Sequence, residues 1–476
     1  MKILYAVWEL DPFIKVGGLG DVARSLPGSL RKHGVDIRIV IPFYTAITLR
    51  PLRKYRACVF SFSYAGQEES VTVYRVKHPI TGVPVYLLRN VRYLSFPKQV
   101  DTFPFFNKAI IEMIKQKCIG WQPQIIHCND HHTGFIPRLI SIEKLPIKTV
   151  YTIHNLSHQG LYPLEILDRM GIDPVICQIR PWEIKDRQVN FMLEGLVHAD
   201  RVTTVSPTYA REIMTEEYGS GMEDHLRKRR SEVIGIINGI DIEFRTSLHT
   251  LNVMNSFVTL NKTDFETQKK TVGWEHAKRL NKLDIQRTLG LTVNEKLPLF
   301  CFVGRFDPKQ KGIDILHKMI RRLNLTEYQF IIIGSGNSEW EERFAWLSKF
   351  YPRSISCTFQ FDEIFVNQVY ASADFILVPS KFEPCGLVEM IAMFFGTIPI
   401  AHATGGLKDV ITDGVDGFLF NEYSSEMLEK ALKRAVNVWR DDRPHYRKMV
   451  KCALKKEFSW DKSAEKYLEV YRKLIE

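Results

Sequence analysis

The sequence predicts an α/β protein made of two Rossmann-like domains facing a deep cleft. Three observations carry this expectation. Short apolar, strand-like runs alternate with helical spacing along most of the chain. The alternation lapses over a polar stretch, residues 245–290. Glycine-containing turns follow several strands, at the carboxyl ends where open parallel sheets hold ligands. At 476 residues the chain also exceeds one ordinary core. The expected organisation is an N-terminal domain over 1–244, a connector over 245–290, a C-terminal domain over 291–456 and a final helix over 457–476.

The first half opens with the strand Lys2–Trp8. A glycine-rich loop, Lys15-Val16-Gly17-Gly18-Leu19-Gly20-Asp21, comes next, followed by a helix marked by Val22, Leu26 and Leu30. Strand, glycine loop and helix present backbone N–H groups to an anion, with Lys15 as a nearby cation and Asp21 as a partner for hydroxyls. A tight turn with a solvent-facing lysine fits the same residues. The spacing is not that of a dinucleotide fingerprint. Strands are expected at Val35–Pro42 and Val83–Leu88, with a β-ribbon between about Cys58 and Lys77. A helix over Phe103–Cys118 leads to the strand Gln124–Cys128, which ends in His127-Cys128-Asn129-Asp130-His131-His132. Two histidines and an aspartate raise the question of a metal, but no closed ligand set is evident. The strand Lys148–Ile153 ends in His154-Asn155, and Ile234–Ile237 leads to the turn Asn238-Gly239-Ile240-Asp241.

The connector contains Trp274 and amphipathic spacing from about Glu275 to Leu289. Beyond it, the strand Leu297–Val303 is followed by Gly304-Arg305-Phe306-Asp307-Pro308-Lys309-Gln310-Lys311-Gly312 and the helix Ile313–Leu323. Strands at Gln329–Ile333, Ile355–Phe361, Phe375–Pro379 and Ile398–Ala401 alternate with helices near 338–350, 364–372 and 387–395. Three helices end the chain, at Glu426–Trp439, near 441–456 and at Lys462–Ile475.

Composition narrows the function. Hydrophobic residues at 45% and charged residues at 25% are ordinary globular values. No apolar run approaches the about 18 residues of a membrane span. The eight cysteines include no CxxC pair, which reads as reduced thiols in a cytoplasmic protein. The net charge of +11 favours anionic ligands. The basic run Arg227–Arg230 reads as a solvated loop, without any nucleic-acid-binding pattern. A sugar nucleotide accounts for cations near glycine loops more economically than nucleic acid does.

Residues 15–22 resemble the opening motif of bacterial glycogen synthases and plant starch synthases, and further motifs of that family follow in order. Residues 127–133 resemble its His-x-x-Asp-Trp-His-Thr, with His131 in place of tryptophan. Residues 152–160 resemble Thr-Ile-His-Asn-Leu-x-Tyr-Gln-Gly, with His158 in place of tyrosine. Ala199–Pro207 and Asn238–Asp241 match closely, and Ser380–Leu387 resembles Arg-Phe-Glu-Pro-Cys-Gly-Leu with Lys381 for arginine. Thr404-Gly405-Gly406-Leu407 matches as it stands. The resemblance implies a B-type glycosyltransferase fold whose last helix crosses back onto the N-terminal domain. It also implies a retaining glucosyltransferase, moving glucose from ADP-glucose or UDP-glucose to the non-reducing end of an α-1,4-glucan, with neither metal nor cofactor. The catalytic residues it implies are Glu383, His154, Arg305 and Lys311. Its substrate-binding residues are Lys15, Gly17, Gly18, Asp21, Asp130, Asn155, Cys385, Gly386, Leu387, Thr404, Gly405 and Gly406. In the arginine–lysine loop, Lys311 is preferred to Lys309 because Gly312 and a helix start directly after it. The rival readings are a trehalose- or sucrose-forming relative and a non-catalytic glucan-binding relative.

Overall fold

The computed structural model describes residues 1–49, 52–97, 99–178, 183, 186–241 and 273–476. They form two compact units, 1–239 with 460–476, and 240–459. Most of the connector stretch, 242–272, lies outside the described residues. No helix among the described residues is long and apolar enough to cross a membrane.

The N-terminal unit is built on a nine-stranded sheet. Its strands are β1 (Lys2–Ala6), β2 (Asp36–Pro42), β3 (Tyr55–Tyr64), β4 (Gln67–Lys77), β5 (Pro84–Arg89), β6 (Ile125–Asn129) and β7 (Lys148–Ile153), then β10 (Arg201–Thr204) and β11 (Val233–Gly235). A separate antiparallel pair, β8 (Leu161–Pro163) and β9 (Gln188–Asn190), lies between β7 and β10 in sequence. The sheet order is β11-β10-β7-β6-β1-β2-β5-β4-β3. All neighbours run parallel except the ribbon β3–β4 and its junction with β5. Strands such as Lys2–Ala6 are apolar on both faces because helices cover both faces of a parallel sheet. The order reverses at β1, with β2 on one side and β6 on the other. The loops leaving β1 and β6 therefore open at a topological switch point, where such sheets bind ligands.

The last helix, Trp460–Ile475, belongs to this N-terminal unit. Trp460, Ala464, Tyr467, Tyr471 and Leu474 share a core with Ile3, Tyr5, Leu26 and Leu30. Polar ties fix its register: Ser29 Oγ donates to Asp461 at 2.7 Å and Ser463 Oγ to the Ile237 carbonyl at 2.5 Å.

The C-terminal unit holds a six-stranded parallel sheet of β12 (Leu299–Val303), β13 (Gln329–Ile333), β14 (Ile355–Thr358), β15 (Phe375–Val378), β16 (Ile398–His402) and β17 (Phe418–Phe420). The order is β14-β13-β12-β15-β16-β17, so its switch point lies between β12 and β15. The three-residue β17 follows a turn and carries no strand pattern of its own in the sequence. The amphipathic stretch after Trp274 forms the helix Trp274–Thr288, anchored in this unit. The buried Lys278 ammonium donates to the carbonyls of Tyr370 and Phe395 and to Thr397 Oγ1, and Lys282 pairs with Asp374 at 2.6 Å.

One expectation fails here. The cysteines are not all free thiols: Cys58 on β3 is joined to Cys118, three residues past the helix Thr102–Lys115, with Cα atoms 5.9 Å apart. The pairing spans 60 residues and comes from packing of that helix beside the ribbon, which no local cysteine spacing encodes. The other six cysteines form no disulfide.

Candidate active site

The two switch points carry different chemistry. At the N-terminal one, two amides of the loop after β1 are taken by a side chain of the protein itself. Glu9, nearly fully buried, accepts from the N–H groups of Val16 at 2.5 Å and Gly17 at 2.9 Å. An internal carboxylate thus engages two of the loop's N–H groups, and burial raises its proton affinity. Lys15 pairs with Asp21 at 2.8 Å, and the buried Arg24 bridges Asp21 and Asp11. Gly18 is the first residue of the helix Gly18–Lys32, and Gly20 lies in its first turn. Lys15 and Asp21 remain partly exposed beside this charge network.

The loop after β6 is built around Asp130, a non-glycine residue at φ 51°. Such geometry is strained and persists where its surroundings hold it. Here Asp130 N–H donates to the Thr152 carbonyl at 2.9 Å, and its Oδ1 accepts from His154 N–H at 2.7 Å and Asn155 N–H at 3.4 Å. Burial pushes the Asp130 carboxyl up to about 7. His154 Nε2 meets Asn129 Oδ1 at 2.9 Å, and Asn129 Oδ1 also accepts from Tyr5 OH at 3.0 Å. Burial lowers the imidazole to about 3, so His154 is neutral and donates through Nε2. Its Nδ1 has no partner among the described residues and is left as an acceptor for a hydroxyl.

His127 points the other way. It is fully buried, with Nδ1 at 2.6 Å from Tyr471 OH and Nε2 at 2.6 Å from Thr152 Oγ1, and it ties the last helix to the sheet. His131 stacks on His132 with ring centroids 3.7 Å apart, and His132 on Trp8 at 4.6 Å. A side chain at Gly160 would collide with His131, so the substituted histidine fills a packed slot. Among the described residues no group of three or more His, Cys, Asp or Glu side chains is arranged to hold a metal ion.

The C-terminal switch point is charged. Lys311 Nζ lies 2.6 Å from Glu383 Oε2, which also accepts from Ser380 Oγ at 2.9 Å. Gly312 sits at φ 69° before the helix Ile313–Ile320, and a Cβ there would meet the Pro379 carbonyl at 2.0 Å. That close approach, reinforced by Lys381 N–H donating to the Gln310 carbonyl at 2.7 Å, brings the β12 and β15 loops together. Arg305 is exposed, its guanidinium 3.2 Å from Gln310 Oε1. Lys309 is exposed as well, with its backbone N–H on Asp307 and no side-chain partner among the described residues. Cys385, Gly386 and Leu387 lead into the helix Val388–Phe394. Gly386 adopts φ 83°, and a side chain on it would strike Glu389. Thr404 precedes the short helix Gly405–Val410. Gly406 N–H donates to the Glu383 carbonyl at 3.0 Å, and a Cβ on Gly406 would meet the Cys385 carbonyl at 1.9 Å. The Thr404 and Glu383 turns are thus braced against one another.

Sequence reasoning missed Glu9, Asn129, Ser380 and Glu389. Glu9 had a signal, a lone carboxylate in the apolar run Val7–Leu10. Asn129, Ser380 and Glu389 had none, because each acts through a contact made only in the folded chain.

Mainly parallel sheets in both units, each with its loops at a switch point, define a protein of two Rossmann-like α/β units, the architecture of B-type glycosyltransferases. Two family models match the chain, "Starch synthase catalytic domain" over residues 2–228 and "Glycosyl transferases group 1" over 290–456. It is 36% identical to a glycogen synthase of Clostridium beijerinckii, covering 100% of this chain and 99% of the relative. A glycogen synthase of Thermotoga petrophila is 33% identical over 100% of this chain and 99% of its own. Among solved structures, the catalytic domain of Arabidopsis thaliana starch synthase IV bound to ADP and acarbose superposes with TM-score 0.85, at 28% identity over 100% of this chain and 99% of that one. A sucrose-phosphate synthase of Thermosynechococcus elongatus, TM-score 0.62 at 18% identity, shares the fold alone. The chain belongs to the glycogen synthase and starch synthase family.

Proposed function

We propose that the protein elongates an α-1,4-glucan at its non-reducing end with glucose from a nucleoside diphosphate donor, with retention of configuration, in the cytoplasm. The observation that carries the reading is the Lys311–Glu383 pair, braced by Ser380 at the C-terminal switch point. Departure of a nucleoside diphosphate leaves positive charge on the anomeric carbon and negative charge on the phosphate. Glu383 stabilises the first, and Lys311 with Arg305 the second, and both interactions strengthen in the transition state. The Thr404–Gly406 turn and Cys385–Leu387 line the phosphate side. In the N-terminal unit Asp130, His154 and Asn155 address glucose hydroxyls, and Lys15, Gly17, Gly18 and Asp21 the acceptor side. Retention implies attack on the face the phosphate leaves, with the phosphate taking the acceptor's proton.

ADP-glucose is the preferred donor in this reading, because the similar starch synthase IV structure is of an ADP complex. The test offers ADP-glucose and UDP-glucose in competition, with glycogen as acceptor. Faster incorporation from ADP-glucose into α-linked termini, assigned by NMR of the newly formed anomer, supports the reading. A β-linked product, or a free disaccharide in place of extended glucan, overturns it.

A further inference from the structure

The C-terminal unit contains a second carboxylate that the reading above does not use. Glu389 lies six residues beyond Glu383, on the first turn of the helix Val388–Phe394, and is fully buried. Neither of its oxygens accepts a hydrogen bond from another residue among the described residues. It lies directly beneath the Cys385-Gly386 turn: a Cβ on Gly386 would be 2.2 Å from one oxygen and 2.5 Å from the other. A fully buried carboxylate with no donor from a neighbouring residue is far more costly as an anion than as a neutral acid.

Its electrostatic neighbours are few. Burial is the largest influence, pushing the carboxyl up to about 8; Glu383 also opposes its ionisation, while its own backbone N–H and Lys311 favour it. Around the helix, β15 brings no titratable side chain. β16 brings His402, whose ring nitrogens face the Ser380 and Asn421 carbonyls. The helix Arg443–Lys455 buries Tyr446, Met449 and Val450, and the helix Glu363–Ser372 buries Val366, Asn367 and Tyr370. Among the described residues, Lys311 is the cation that bears on it.

We propose that Glu389 is a positioning residue of the donor side, whose uncharged side chain under the Cys385–Leu387 turn leaves Lys311 to Glu383 and to the donor's diphosphate. If Glu389 ionised, a second negative charge would act on Lys311 beside that of Glu383, and the lysine would be less available to the phosphate. The inference rests on the donor-side reading of Lys311 and Glu383. It deepens that reading by making donor affinity and turnover sensitive to alkali through a residue that touches no substrate.

The test uses the full chain and Glu389→Gln, which keeps shape and hydrogen-bonding atoms but cannot ionise. Three profiles against pH are measured: kcat/KM for glucosyl transfer, the Kd for ADP, and Tm without ligand. The folded protein holds a proton that the unfolded chain releases near pH 4.5, so wild-type stability from this residue is full below about 4.5 and is lost as pH rises through about 8. The Tm advantage of Glu389→Gln should therefore grow from about pH 5 to about pH 8. Wild-type kcat/KM should fall above about pH 8, approaching tenfold per unit, with ADP weakened several-fold, and Glu389→Gln should lose both limbs. A constant Tm difference, or alkaline limbs that persist in Glu389→Gln, overturns the proposal. The predicted Tm and ADP profiles without any glucosyl transfer would uphold the proposal and overturn the transferase reading.

Discussion

The two switch points share a topology and differ in their chemistry. In the N-terminal unit the loop after β6 is a buried hydrogen-bonded lattice, beside the partly exposed Lys15–Asp21 pair: Asp130 holds the amides of His154 and Asn155, Asn129 holds His154 and Tyr5, and Glu9 holds two amides of the glycine loop. Its imidazoles at 127 and 154 are kept neutral by burial. In the C-terminal unit, by contrast, Arg305 is exposed and Lys311 half-buried on Glu383. A buried hydrogen-bonded lattice around neutral imidazoles fixes where hydroxyls go. Preorganised charge answers charge that develops during bond cleavage. Substitutions at the first switch point should therefore cost single hydrogen bonds, and substitutions at the second should cost orders of magnitude.

The largest effect is expected at Lys311. Lys311→Ala should lower kcat/KM about 10²-fold or more, the scale of a lost transition-state charge partner, while Lys309→Ala stays within a few-fold. Steady-state kinetics with both variants decides this, and the reverse ranking would move the phosphate contact to the exposed lysine. His154→Ala tests the neutral side. Loss of one uncharged hydrogen bond should cost about 3- to 10-fold in kcat/KM, and a loss comparable to that of Lys311→Ala would erase the contrast.

A smaller effect is expected on stability. Burial lowers His127 to about 3, below its ordinary 6.5, so the unfolded chain binds a proton that the folded chain refuses between those values. Its contribution is full above about pH 6.5 and is lost as pH falls towards 3, at up to about 1.4 kcal/mol per unit. Denaturant midpoints at pH 7 and pH 5 would measure this, the wild type losing more than His127→Gln. Tyr471→Phe removes the hydroxyl at 2.6 Å from His127 and should cost about 1 kcal/mol. The smallest effect expected is that of EDTA. With Lys311 and Arg305 as phosphate counter-charges, glucosyl transfer should persist after chelation, and a loss restored by Mn²⁺ or Mg²⁺ would show that the cations do not suffice.

The sheets were legible because their strands are continuous apolar runs ended by glycine turns, as Leu299–Val303 before Gly304 illustrates. The loops at the switch points were legible as motifs. Their internal partners were not. That Glu9 fills the glycine loop, or that Gly406 N–H is taken by the Glu383 carbonyl, depends on backbone approach between segments distant in sequence. Cys58 and Cys118 were misread for the same reason, since a pairing across 60 residues leaves no local spacing. The preference for Lys311 over Lys309 used Gly312, whose left-handed φ begins the helix, and the contact with Glu383 is consistent with that preference.

The central claim is that the charged switch point performs the chemistry, and Glu383→Gln tests it most directly. The measurement is the single-turnover rate of glucose transfer from ADP-glucose to a maltooligosaccharide, alongside the Kd for ADP. The account predicts a rate lowered about 10²-fold or more, with ADP affinity changed only a few-fold, because it assigns the lost charge to the anomeric carbon and not to the nucleotide. A rate within a few-fold of wild type would contradict it and leave Glu383 as no more than the structural partner of Lys311.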